Sequence, residues 1–231
     1  VDGFLLDRGF QVLLTAYPEL KTQVDMSALD LKMFSSGALV MRDGKSSVVT
    51  DPFREPRRAG ATVFAPVGTL ADKLRVAALR WRVMHRDAHK ILNSADISTV
   101  VALRGLGFSS KMIDRFFRPL FGGIQLDPEL RTSRRMFEII FKSLSEGQSA
   151  LPANGMSAIP EQMAKHLGAE NIFLNTRVTK IETGAVTTAA GRIETSAVVV
   201  ATDQPSASEL LLRRQRARNS SCSMARVKAP C

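Results

Sequence analysis

Hydrophobic and polar positions follow three different styles along the 231 residues. The opening nineteen, VDGFLLDRGFQVLLTAYPE, read as an extended segment: Phe4, Leu5 and Leu6, then Asp7, Arg8 and Gly9, then Phe10, Val12, Leu13 and Leu14. A glycine inside a strand marks a bulge or a close approach to the backbone. Two readings fit: a strand passing beneath a flat ligand, or an ordinary bulge with Asp7 paired to Arg8. The run stops at Tyr17-Pro18. Ala38 to Met41, the turn-forming Asp43-Gly44, and Ser47 to Thr50 then predict a β-hairpin.

The middle of the chain takes the helical period. Thr69 is placed to cap a helix whose apolar set is Leu70, Leu74, Ala77, Ala78 and Trp81. Its polar face carries Lys73, Arg75, Arg80, Arg82 and Arg86, which reads as a solvated face; contact with an anionic membrane surface is the alternative. His85 and His89 stand four apart on the same helix, the spacing of a metal pair, but no third ligand is near and no metal site is expected. Ser98 to Leu106 predicts a second helix. A third starts at Ser109 or Ser110, with Met112, Ile113, Phe116 and Phe117 as its apolar set and Pro119 as its stop. Arg115 to Asp127, RFFRPLFGGIQLD, is the most aromatic stretch: it is either a core helix or the wall of an apolar pocket. Glu129 to Gln148 predicts an amphipathic helix ending at Gly147.

Past residue 150 the units become short. Leu151 to Met156 reads as a tight loop opening a helix over Ile159 to Leu167, closed by Gly168. Four β-like stretches follow, and Ala197 to Ala201 (AVVVA) is a continuous apolar run of the kind buried on both faces of a layered sheet. Ligands in open α/β folds gather at the carboxyl ends of strands, which draws attention to Ala201 and Thr202. The organisation is thus β, then mostly α, then α/β: a strand of one domain over 1–20, a largely helical insertion with a hairpin over 21–150, the returning α/β part over 151–212, and a basic tail over 213–231 expected to be disordered.

Composition refines this picture in two places. Hydrophobic content of 45% is ample for a core. The net charge is +10, but Arg213, Arg214, Arg216, Arg218, Arg226 and Lys228 supply six of those charges with no acid among them, so the body is only mildly basic and nucleic acid is not an expected partner. Both cysteines, Cys222 and Cys231, also lie in the tail, which leaves the body without a disulfide framework and suits an intracellular, reducing compartment.

Taken in order, DGFLLDRGFQVLLTAYPE, RFFRPLFGGIQLD, TSRRMFEIIF, LPANGMSAIPEQMAKHL and the pair NTRVTKIE and AVVVATD resemble the flavin-containing amine oxidoreductase superfamily, which includes amine oxidases, protoporphyrinogen oxidases and phytoene desaturases. The resemblance implies an α/β (α+β) fold: part of an FAD-binding, Rossmann-like domain with a helical substrate-domain insertion. It implies FAD as cofactor, with Gly9 and Gln11 approaching the flavin ring and Gly155 and Met156 near the ring or ribityl chain. Val178 would meet the adenine, and Ala201 and Thr202 would flank the dinucleotide. Phe116, Phe117 and Phe121 would wall a pocket for an apolar small molecule. It nominates no catalytic acid or base. The family's GxGxxG loop and C-terminal flavin motif are not in this sequence, so a fragment with a weak grip on FAD is expected. A cytoplasmic or plastid setting, with peripheral membrane contact as a further possibility, follows from the same resemblance. The rival readings are an inactive truncated product and a binder of RNA or membrane through the arginine-rich tail.

Overall fold

The computed structural model describes residues 2–3, 5–7, 12–42, 44–211 and 225–228. The chain forms two compact units, residues 1–167 and 168–231.

In the first unit the elements run β1 (Leu13–Leu14), α1 (Pro18–Gln23), β2 (Leu31–Met33), β3 (Gly37–Arg42), β4 (Lys45–Thr50), α2 (Ala59–Phe64), α3 (Leu70–Met84), α4 (Ala88–Leu92), α5 (Thr99–Gly105), α6 (Ser110–Met112), α7 (Arg118–Ile124), α8 (Arg134–Glu146), β5 (Ser149–Pro152) and α9 (Ala158–Leu167). The predicted hairpin is β3 and β4, in register from Gly37 against Thr50 to Arg42 against Lys45. Gly44 takes the left-handed φ of +72° that its tight turn needs. Thr69 caps α3 through a full capping box, trading hydrogen bonds with Asp72. Helix α1 escapes the sequence pattern because it is short, yet it begins with proline at its first position, where a missing N–H costs nothing.

Pro119 does not stop the third helix. Ser109 caps α6, the backbone widens into a π-helical turn over Ile113–Phe117, and α7 continues from Arg118 with Pro119 in its first turn. The wide turn closes with the Arg118 N–H on the Ile113 carbonyl, so the proline sits where the helix restarts and clashes with no preceding carbonyl.

The core of this unit is aromatic. Phe108, Phe117, Phe121, Phe137 and Phe141 pack with Leu79, Val83, Leu103, Ile113 and Leu130. Phe121 and Phe137 meet edge to face with ring centroids 4.6 Å apart, and Phe108 meets Phe117 at 4.9 Å. Strand β5 is the centre of a three-stranded antiparallel sheet, with β1 on one side and β2 on the other. A four-residue strand ending in proline gives no period to read, which is why Leu151 and Pro152 look like loop in the sequence.

Helix α3 is turned over relative to expectation. Its apolar set faces out: Leu70, Leu74 and Trp81 are 64%, 67% and 65% exposed. Arg80 and Arg82, with Arg86 just past the helix end, reach inward to α8. Arg82 and Arg86 bond the two oxygens of the buried Glu138 at 3.0 and 3.2 Å, with Arg134 at 3.9 Å. Arg80 donates to the Ser145 carbonyl at 3.2 Å, and Arg54 donates to the carbonyls of Ser145 and Gly147, so cations close the C-terminal end of α8. The core-facing residues of α3 are Asp72, Leu79 and Val83. The buried Glu138 thus gathers three guanidinium groups at the face where α3 meets α8.

The second unit holds β6 (Val178–Glu182), β7 (Ala185–Thr188), β8 (Gly191–Glu194), β9 (Ala197–Val200), α10 (Gln204–Leu210) and β10 (Ala225–Lys228). Strands β6, β7 and β8 form an antiparallel meander, and β9 pairs antiparallel with β10. The apolar AVVVA run is therefore not a strand covered on both faces: Val200 is buried but Val199 is exposed. Strand β9 lies outside that meander, with β10 as its described neighbour. Turns of two residues join β6 to β7 to β8 and set their antiparallel pairing, since parallel neighbours need long crossovers. Gly184, in the first of those turns, and Gly191, which opens β8 after the second, have positive φ values of +79° and +128°. Across both units the fold is α+β with small antiparallel sheets.

Candidate functional site

The LPANGM loop and the opening segment meet in the first unit. Pro152 ends β5, its carbonyl accepts the Gly155 N–H at 3.0 Å, and Gly155 turns the chain at φ +80°. The next N–H, that of Met156, is donated to Asp7 Oδ1 at 2.9 Å. Gly155 is needed twice over. Its φ is left-handed, and a Cβ there would stand 2.5 Å from Leu5 Cδ2 and 3.1 Å from Asp7 Oδ1. Leu5, Asp7, Gly155 and Met156 thus form one junction between the two stretches.

Two further sets of bonds position it. Thr15 donates its N–H to the Gln148 carbonyl at 3.0 Å and accepts the Gln148 N–H on Oγ1 at 2.9 Å. Gly147 packs so tightly on Ala16 that a Cβ would lie 2.5 Å from the Ala16 nitrogen. At the far end of the loop, Gln162 on α9 accepts the Asp25 N–H at 2.8 Å and donates to the Asp25 carbonyl at 3.0 Å. Hydrogen bonds from the Ser27 hydroxyl, then from the Ser27 and Ala28 backbone, hold the Asp25 carboxyl below the usual carboxylate range. Beside these elements a cleft of about 630 Å³ opens between Thr15, Lys21, Met26, Asp30, Met33 and Glu146.

The expected site residues fall in different places. Gly9 and Gln11 lie outside the described residues. Gly155 and Met156 are at the junction. Phe117 and Phe121 are fully buried, their rings against Phe108, Phe137 and Phe141, while Phe116 is half-buried against Phe117 at 5.4 Å. None of the three lines the cleft. In the second unit Val178 starts β6 opposite Thr188, just before a register shift, and Ala201 and Thr202 are exposed directly after β9. His85 is not in register with His89: α3 ends at Met84, His85 Nδ1 lies 2.8 Å from the Trp81 carbonyl, and His89 belongs to α4. Among the described residues no cluster of His, Cys, Asp and Glu could hold a metal ion.

Sequence reasoning missed Asp7 as the acceptor for the Met156 amide. The signal was its place inside a strand-like run with no cation required to explain it. It also missed Glu138, whose three arginine partners stand at positions 82, 86 and 134.

The sequence matches the family described as flavin containing amine oxidoreductase over residues 1–224. The chain belongs to that family. No curated protein matches it. The two stretches that meet at the Asp7–Met156 bond are thus parts of a flavin-containing family's sequence, brought together by this fold. The described residues leave room for such a group: Leu5, about two-thirds exposed, stands against the Gly155 turn, which has no side chain of its own.

Proposed function

We propose that this protein is an FAD-dependent oxidoreductase that oxidises a C–N or C–C bond of a small or lipophilic substrate to the double bond, the hydride passing from the substrate's C–H to the flavin and the proton from the neighbouring N–H or C–H to solvent. The family supports a flavin-dependent oxidoreductase. The observation that supports the site is the Asp7 carboxylate holding the Met156 amide beneath the left-handed Gly155. In this reading Asp7 is a positioning residue that fixes the loop, Gly155 keeps the approach clear, and Leu5 and Leu6 cover one part of the cofactor. Gly9 and Gln11 would border the ring, Val178 would meet the adenine through its backbone, and Ala201 and Thr202 would flank the dinucleotide. Phe116 is the candidate for the substrate wall, with Phe117 and Phe121 packed behind it. The bound flavin would supply the hydride acceptor, so the chain's own residues need only bind, orient and exclude water.

The test is an FAD titration of the full chain, read by flavin fluorescence and visible circular dichroism. Saturable binding that Asp7→Ala weakens is expected. A flavin signal unchanged at every protein concentration would overturn the proposal. Bleaching of the bound flavin's visible absorbance under anaerobic conditions, by a lipophilic amine or by a saturated hydrocarbon chain, then assigns the bond type.

A further inference from the structure

The inverted helix α3 leaves an apolar stripe that the first unit does not cover. Leu70, Leu74 and Trp81, each about two-thirds exposed, stand at i, i+4 and i+11 and so share one face, about 16 Å long at 1.5 Å per residue. The exposed Ala71 and Ala78 lie beside them. Lys73 donates to the carbonyls of Val63 and Ala65, which fastens the end of α2, with its 87% exposed Phe64, to the same end of α3.

The charge around the stripe has one sign. From residue 65 to 86 the sequence holds a single acid, Asp72, and Asp72 is fully buried. Lys73 lies near enough to Lys111 for the two charges to be felt by one another. Arg75 sits on the exposed flank, 3.8 Å from Asp72.

This combination selects among occupants. A second copy of the chain would bring the same face, with no exposed acid from residue 65 to 86, against itself. A partner helix needs a groove, and the cavity bordering this face, between α3 and Leu106, holds about 140 Å³. A flat, negatively charged surface with an apolar interior meets both features. We propose that the outer face of α3 docks on an anionic lipid bilayer, with Leu70, Leu74 and Trp81 entering the headgroup–acyl boundary and Arg75 and Lys111 meeting the headgroups. The proposal is independent of the flavin reading.

Trp81 is the chain's single tryptophan, so its fluorescence reports this face alone. The full chain is mixed with phosphatidylcholine–phosphatidylserine vesicles, with phosphatidylcholine vesicles, and with each in the presence of a brominated lipid. A blue shift and bromine quenching of Trp81 with the anionic vesicles are expected. Leu74→Ala, at an exposed position, should weaken the vesicle affinity at least about fivefold. Co-sedimentation with Trp81 unshifted would overturn the proposal and assign binding to the arginine-rich tail. A blue shift that follows protein concentration without lipid would overturn it in favour of self-association. Equal shifts with both lipids would overturn the choice of an anionic surface.

Discussion

Asp7 and Met156 are 149 positions apart in sequence and 2.9 Å apart in space, carboxylate oxygen to backbone nitrogen. Through this bond the opening segment sets the position of the loop that leads from β5 into α9. Removing the acceptor leaves the Met156 N–H to water. Asp7→Ala should therefore cost about 1–2 kcal/mol in urea unfolding, whereas Asp7→Asn, which keeps an oxygen in place, should cost less than half of that. Faster hydrogen exchange of the Met156 amide in Asp7→Ala alone is the local check.

Gly155→Ala adds two costs at one atom. The residue would hold a φ of +80°, and its Cβ would stand 2.5 Å from Leu5 Cδ2. The backbone part should be about 1 kcal/mol, and the clash adds to it until Leu5 shifts. The double variant Leu5→Ala, Gly155→Ala removes the clash and keeps the strain. Thermal unfolding of the four-member cycle should show a favourable coupling between the two substitutions. Additive effects would mean that Leu5 is not packed on Gly155.

Asp72 links α3 to α6. Burial alone would raise its pKa, but hydrogen bonds from the Ser109 side chain and backbone, and from the Thr69 backbone and side chain, overcome that and hold it far below its ordinary value near 3.8. A carboxyl depressed in the folded state contributes stability that is complete above its unfolded pKa and is lost as pH falls through the folded one. Stability should thus be flat in this group's contribution from neutral pH down to about 5 and decline below about 4. Asp72→Asn, with one acceptor oxygen for four donors, should cost about 2–4 kcal/mol at neutral pH and flatten the acid limb. Urea midpoints across a pH series read both effects.

Glu138 is the centre of the interface between α3 and α8. Removing one member of a buried ion pair costs about 3–5 kcal/mol. Arg82 and Arg86 are about one-third exposed and can turn to water, so Glu138→Leu should cost less, about 2–3 kcal/mol. Arg86→Leu leaves Glu138 its bond to Arg82 and should cost less still. Denaturant unfolding of the two variants gives the order.

The inverted helix shows where sequence reading reaches its limit. The period of Leu70, Leu74, Ala77 and Trp81 correctly predicts a helix, and Thr69 correctly predicts its start. Which face turns inward depends on Glu138, 56 residues beyond Arg82, and no local pattern carries that information. Pro119 is a similar case: the rule that proline ends helices holds for a regular helix, and the π turn at Ile113–Phe117 removes the clash on which the rule rests. The β5 strand is too short to display a period. The hairpin at Gly44, the end of α8 at Gly147 and the close of α9 at Gly168 were legible because local turn chemistry sets them. At the candidate site, Gly155 and Met156 were legible from their motif, and their partner Asp7 was not, since a pairing across 149 positions has no local signature.

The most direct test of the site is hydrogen–deuterium exchange of the full chain with and without FAD. Slower exchange on FAD addition is predicted in the peptides covering 5–12 and 152–157 together. Protection confined to other segments, with these two unchanged, would contradict the placement of the cofactor at the Asp7–Met156 junction.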